Sequence, residues 1–297
     1  MQLFLLLIKN GTLEYMQTEH IFISGGSKGL GKALTERLLA RPTAKIFAFS
    51  RNPEDVEKEL LTAHPEWQGR VQFGKGDASN QEDVTRLVAE ATSFFGEKPN
   101  KIILNAGMFA FDDELDAKKK EEMQQLNVES NKIIINEIRG NDKEKPLHIL
   151  FISSIGALAE EMENPFEHTT VYGKTKAQVD AYLKELAVTH EHIRVALSYP
   201  GPFGDSAKKL RDKFGDTWAV PTEMVAAHSA VLLESLHTKK ISEEIIVSEK
   251  HFSIENNFFD LQELAKKHIA LTEVAESESE HLIKKDEVGN EIRKGIK

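Results

Sequence analysis

From His20 onward, short apolar segments alternate with amphipathic ones, and this alternation constrains the fold more than any other feature. The predicted strands are His20–Ser24, Lys45–Ser50, Arg70–Asp77, Lys101–Asn105, Leu147–Ser153, Ile193–Ser198 and Glu244–Ser248. Between them the spacing predicts helices. The first carries Leu30, Ala33, Leu34 and Leu38 on one face and stops near Pro42. The second opens on a Ser79/Glu82 capping box and runs to Phe95. Others cover Glu121–Arg139, Val171–Val188 and Thr222–Leu236. The strands are continuously apolar, as strands covered by helices on both faces must be. Repeated strand–helix units with short connections imply an α/β fold with a doubly wound parallel sheet of about seven strands. Ligands of such sheets bind at the carboxyl ends of the strands, near the topological switch point.

Composition narrows the function. Of 297 residues, 40% are apolar, and 18 glycines bring the total into the globular range. The chain carries 38 basic and 48 acidic residues, a net charge of −10, which disfavours nucleic acid or an anionic membrane as partner. It has no cysteine, which excludes disulfides, thiolate metal sites and a cysteine nucleophile, and fits a cytoplasmic protein. No apolar run reaches the ~18–20 residues of a membrane span. The longest, Leu3 to Ile8, lacks a preceding positive region and a cleavage site. The histidines are scattered apart from His190 and His192, so no metal site is expected.

Three regions follow. Residues 1–15 read as an N-terminal extension: an added strand, a partner-binding arm or a mis-chosen start upstream of Met16, the last being favoured. Residues 16–254 form a nucleotide-binding domain that includes the active site. Residues 255–297 form a helical and charged extension, with Phe258, Leu261, Leu264, Ala265, Ile269 and Leu271 on one helix and a frayed acidic tail beyond Ala275.

The first strand-to-helix turn reads Ser24-Gly25-Gly26-Ser27-Lys28-Gly29-Leu30-Gly31. Glycines here permit a tight turn and close approach of a phosphate, and the helix amino terminus offers free N–H groups. The second strand ends at Ser50-Arg51, where a dinucleotide site meets the adenosine ribose. An acid there would suit NAD. Arg51, with Lys28, favours the 2′-phosphate of NADP, although Glu54 and Asp55 lie close enough in sequence to reverse the preference. Asp77 and the triplet Asn105-Ala106-Gly107 end the next two strands, and alone read as turn-closing residues. Tyr172 and Lys176 are four apart and share a helical face, where an ammonium near the phenol would lower its pKa. Ser154, at the end of the fifth strand, offers a hydroxyl to a substrate carbonyl.

Taken together, these segments resemble the short-chain dehydrogenases/reductases of the single-domain, Rossmann-like type. The resemblance covers about His20 to Ser248 and adds Leu126-Asn127-Val128, Ile152-Ser153-Ser154 and Pro200-Gly201 to the matching motifs. It implies that Tyr172 is the general acid/base, that Ser154 holds the carbonyl oxygen, and that Lys176 lowers the Tyr172 pKa and binds the nicotinamide ribose. It further implies that Asn127 anchors a relay water, that Asp77 contacts the adenine end, and that Asn105, Ala106 and Gly107 support the sheet beside the cofactor. Pro200 and Gly201 would flank the nicotinamide.

The chain also departs from the family pattern. Asp205 stands where a threonine commonly contacts the carboxamide, with Ser206 as a substitute. The segment from Ser154 to Tyr172 is long and holds Glu160, Glu161, Glu163, Glu167 and His168. Pro202–Pro221 reads as a lid whose Phe203, Phe214 and Trp218 line a substrate cleft or seat the lid. The expected activity is NADP-dependent interconversion of a small-molecule carbonyl and an alcohol. The alternatives are a nucleotide-binding scaffold without turnover and a methyltransferase, for which the Tyr172–Lys176 pair has no task. Ile133, Ile134, Ile135 and Ile138 crowd one helix, and this apolar surplus predicts a homodimer or homotetramer.

Overall fold

The computed structural model describes residues 6–9, 12–15, 18–139, 146–161, 168–215, 219–248, 270–274, 281–285 and 291–295. Two short strands, β1 (Leu6–Lys9) and β2 (Thr12–Tyr15), pair antiparallel with each other. Then come β3 (Glu19–Ser24), α1 (Gly29–Leu39), β4 (Ala44–Ser50), α2 (Val56–Ala63), β5 (Val71–Lys75) and α3 (Gln81–Phe95). After β6 (Lys101–Leu104), helices α4 (Ala117–Gln124) and α5 (Ser130–Arg139) are joined by a π-helical turn, Gln125–Glu129. The series ends with β7 (Leu147–Ile152), α6 (Thr170–Thr189), β8 (Ile193–Pro200), α7 (Gly204–Phe214), α8 (Thr222–Ser235) and β9 (Ile241–Ser248).

The seven strands β3 to β9 are all parallel, in the spatial order β5-β4-β3-β6-β7-β8-β9. The order reverses between β3 and β6, and this switch point opens the crevice in which the site lies. The unbroken apolar strands have the expected cause. Ile21, Ile23, Ile46 and Ala48 face a core shared with α1 and α8. Phe22, Phe47 and Phe49, the intervening residues, face a second core shared with α3, α5 and α6.

Several expectations are corrected. The cap of α3 is Asn80, whose side chain accepts from Asp83 N at 3.1 Å, because Asp77 already binds the backbone N–H and hydroxyl of Ser79. The helix expected over Glu121–Arg139 starts at Ala117 and is interrupted at Asn127. Its Ile134, Ile135 and Ile138 are buried within the single chain against α3 and the sheet, and Ile133 is partly buried against the same core. Helix α2 has no counterpart in the sequence reading.

Three further strands, β10 (Ala270–Val274), β11 (His281–Lys285) and β12 (Glu291–Gly295), extend the sheet beyond β9. Leu271 therefore lies in a strand paired with Ile245, not in the expected helix. The unpaired backbone edge of β9 accepts this segment as a parallel neighbour. Residues 258–269 of that expected helix lie outside the described residues. Among the described residues, no helix is long and apolar enough to cross a membrane.

Candidate active site

The glycine turn is shaped by contacts across the sheet. A Cβ on Gly31 would stand 2.0 Å from Gly25 O and 2.8 Å from Asn105 Nδ2. Gly25 has φ +71° and is pressed against Asn105 and Ala106. Asn105 donates through Nδ2 to Ser24 O and Gly25 O, at 3.2 and 2.9 Å. The N–H groups of Asn105 and Ala106 both donate to Ser24 Oγ at 3.1 Å. Thus the β6 triplet stitches the first turn to the sheet. Helix α1 begins in an open region: Lys28 gives no side-chain cap, the first turn holds no acid, and a Cβ on Gly29 would meet nothing within 4 Å. Leu30, by contrast, is buried and anchors the turn from below. These are the requirements for seating a pyrophosphate on a helix dipole.

At the tip of β4, Arg51 is exposed, and so are Ser27's neighbours Lys28 and Gly29. The Ser50 hydroxyl beside Arg51 is buried with no hydrogen-bond partner among the described residues. Glu54 is paired with Lys75 at 2.5 Å on the exposed surface. An uncapped helix start, a cation and an orphaned hydroxyl fit a dinucleotide. Asp77, expected to contact the adenine end, has its Oδ1 engaged by the Ser79 N–H and hydroxyl.

Farther along the crevice, three residues of α6 grip the end of β7. Lys176 Nζ donates to Ile152 O at 2.9 Å, Asp180 Oδ2 accepts from Ser153 Oγ at 2.9 Å, and the Tyr172 phenol stands close enough to the Ser154 hydroxyl to be influenced by it. Positions 172, 176 and 180 form one stripe along the helix, so one rigid element fixes all three contacts. The start of α6 is held from a distant loop, since Asp112 accepts from Thr170 N at 2.9 Å and Val171 N at 3.0 Å. Gly107 permits close approach: a Cβ there would lie 3.3 Å from Asn127 Oδ1 and 3.4 Å from Lys176 Nζ.

Asn127 is fully buried in the π-helical turn. Its side chain accepts from Met108 N at 2.7 Å and donates to Met108 O and Thr175 Oγ1, at 2.9 and 3.1 Å. Thr175 in turn donates to Tyr172 O at 2.7 Å. Such π turns are concentrated at functional sites. Pro200 ends β8, and Gly201 N donates to Ile246 O at 2.7 Å.

The electrostatics correct one expectation. Burial pushes the Tyr172 phenol up to about 12; the Ser154 hydrogen bond pulls it down, and the negative charge of Asp180 pushes it up again. Burial brings the Lys176 amine down to about 8, opposed by Asp180. Against the expected Tyr172 pKa below the ordinary value, burial sets the opposite net direction here. The Lys176 nitrogen bonds Ile152 O and lies 5.8 Å from the centre of the phenol ring, while desolvation penalises both charged forms.

Over this floor lies an aromatic wall. Phe109 meets the Tyr172 ring edge-on at 5.0 Å and Phe111 at 5.3 Å. Phe214 of α7 packs on Phe111 and stacks on His168. Lys209 donates to Phe109 O at 3.1 Å, and Lys213 pairs with Asp113 at 2.5 Å. Phe214 thus seats the lid, whereas Phe203 packs into the α1/α8 core and Trp218 lies outside the described residues. Ser206 Oγ, the proposed substitute for the missing threonine, donates to Phe203 O at 2.7 Å in the first turn of α7. Of the acidic loop, residues 162–167 lie outside the described residues. Among the described residues, the one group with metal-like spacing is Glu19, Glu234 and His237. Lys101 Nζ already lies 3.1 Å from Glu19 and 3.2 Å from Glu234, which fills that place with an ammonium.

The short chain dehydrogenase family model matches residues 19–213, from the first sheet strand into α7. The chain belongs to the short-chain dehydrogenase family. Among its relatives, the short chain dehydrogenase gsfK of Penicillium aethiopicum is 25% identical over 189 residues, 61% of this chain and 74% of that protein. A tropinone reductase homolog of Arabidopsis thaliana is 28% identical over 171 residues, 56% of this chain and 61% of that one. YtkK of Bacillus subtilis, named as an oxidoreductase, is 38% identical over 93 residues, 31% of this chain and 36% of that protein. The chain thus spans from about a third to three quarters of these relatives. Solved structures agree in fold. A short-chain dehydrogenase/reductase from Serratia marcescens superposes with TM-score 0.62 at 24% identity, covering 76% of this chain and 95% of that one. ElxO, a structure with NADP bound, gives TM-score 0.64 at 21% identity, covering 76% and 96%.

The sequence missed the residues that arrange this site. Asp112 and Thr175 look like ordinary loop and helix residues. Asp180 and Ser153 could have been found as a polar pair at two otherwise apolar positions.

Proposed function

We propose that this short-chain dehydrogenase interconverts a carbonyl and an alcohol with NADP as cofactor. The observation that carries the reading is the three-point grip of α6 on β7, which presents Ser154, Tyr172 and Lys176 together at the strand ends. A bound nicotinamide supplies or accepts the hydride. The chain supplies the rest. The Ser154 hydroxyl donates to the carbonyl oxygen and orients it. The Tyr172 hydroxyl gives its proton to that oxygen in reduction and receives it in oxidation. A phenol held protonated by burial suits the first direction. Lys176 and Asn127 organise the polar groups behind Tyr172 through which its proton is replaced. Lys28, Arg51 and the Ser50 hydroxyl favour a 2′-phosphate.

Phe109, half-buried beside the Tyr172 ring, favours a substrate with an apolar or aromatic face next to the reacting carbonyl. Purified protein should consume NADPH, read by absorbance, with members of a panel of apolar ketones and aldehydes. Absence of turnover across that panel, with cofactor binding intact, favours a nucleotide-binding scaffold instead.

A further inference from the structure

Asp180 lies on the same stripe of α6 as Tyr172 and Lys176, one turn beyond the lysine, and is only 6% exposed. One carboxylate oxygen accepts from Ser153 Oγ at 2.9 Å, and Ser153 is itself 2% exposed. The other oxygen is buried with no hydrogen-bond partner among the described residues. A buried carboxylate is costly, and a neutral amide would hold Ser153 equally well. What an amide would lack is charge, and the buried neighbour that needs a charge is the Lys176 amine.

We propose that Asp180 is a positioning residue for the reaction assigned above: it ties the strand end bearing Ser154 to α6, and it supplies the buried counter-charge that keeps Lys176 protonated. The inference rests on the proposed function for its catalytic meaning, though not for its electrostatics. The other charges around Asp180 leave it this task. Lys184, one turn further along α6, is drawn to Glu243 of β9 at 2.6 Å. Glu243 also accepts from the Tyr199 hydroxyl of β8 at 2.8 Å. Lys184, though held by Glu243, still acts on Asp180 together with Lys176, and of the two cations Lys176 is the one buried with it. Burial raises the Asp180 carboxyl to about 7, a tendency opposed by Ser153, Lys184 and Lys176 and reinforced by Glu243. Ionisation of Asp180 as pH rises through that value thus strengthens the charge on Lys176. It also disfavours loss of the Tyr172 proton.

The test is a titration of Lys176 in full-length protein carrying 13Cε-labelled lysine, with its resonance identified by its absence in Lys176→Met. Asp180→Asn keeps an acceptor for Ser153 and removes the charge. In folded Asp180→Asn the Lys176 titration should move down by about one unit, the size expected of losing one close opposite charge. Ser153→Ala weakens ionisation of Asp180 without touching its carboxylate, and should move Lys176 the same way by a smaller step. The alkaline limb of kcat should follow, with KM for the carbonyl substrate changed less than kcat. A Lys176 titration unchanged in folded Asp180→Asn overturns the inference. If Asp180→Asn fails to fold, an unchanged titration in folded Ser153→Ala overturns it. The titration needs no turnover, so it reads Asp180 separately from any failure of the proposed reaction.

Discussion

The carbonyl oxygen of Gly156 lies 2.5 Å from where a Cβ on Gly173 would stand. This close approach joins the loop after β7 to the first turn of α6, one residue from Tyr172. Gly156 N also donates to Ser154 Oγ at 3.1 Å, so the same contact places Ser154 beside the phenol. Gly173→Ala must push backbone from backbone, which costs about 1–3 kcal/mol in a packed site. Activity should fall at least about tenfold, since displacements of an ångström at reacting groups have effects on that scale or larger. NADPH affinity, measured by fluorescence titration, should change far less.

Tyr172→Phe should remove about 10²- to 10⁴-fold of the rate, the range of a positioned general acid. Cofactor affinity should be nearly unchanged, because the hydroxyl is asked only to orient substrate and move a proton. Lys176→Met should lower both, and single-turnover kinetics with parallel binding measurements will separate the two. A Tyr172→Phe variant that keeps most of its rate would sink the assignment.

Arg51 is the residue proposed to discriminate between the two dinucleotides. Arg51→Ala should weaken NADPH about ten- to a hundredfold, the loss of one charge-assisted contact, and leave NADH nearly untouched. Equal affinity of the unmodified protein for both cofactors would count against this role.

The aromatic wall and its latch should respond differently. Phe109→Ala removes an apolar face beside Tyr172 and should lower kcat/KM for an apolar ketone about tenfold or more. Asp113→Ala breaks an exposed ion pair and should change the same quantity less than about threefold, since such pairs contribute little. Steady-state kinetics on both variants gives the comparison.

His148 should make the fold sensitive to mild acid. Burial and then the nearby charge of Lys101 push its imidazole down from 6.5 to about 4. The unfolded chain therefore binds the extra proton between those values, and stability present above pH 6.5 is lost as pH falls towards 4. The loss is on the order of 3 kcal/mol at most. His148→Gln should narrow the gap between urea midpoints at pH 7 and pH 5; an unchanged gap would exclude His148 as the cause.

The sequence alone determined the sheet. Strands covered on both faces must be apolar at every position, and Phe22 between Ile21 and Ile23 reads as such without any knowledge of partners. It also pointed to a candidate site, because Gly25 to Gly31, Ser154 and Tyr172–Lys176 are local patterns tied to strand ends. The tertiary structure decided what local patterns cannot express. Asp112 caps α6 from 58 residues away, and Ser153 meets Asp180 across 27. Glu54 is taken up by Lys75, and Ser206 by the backbone of Phe203. The sign of the Tyr172 pKa shift belongs to this second group. A helical spacing shows that an ammonium is near a phenol, but not how deeply both are buried, and here desolvation outweighs proximity.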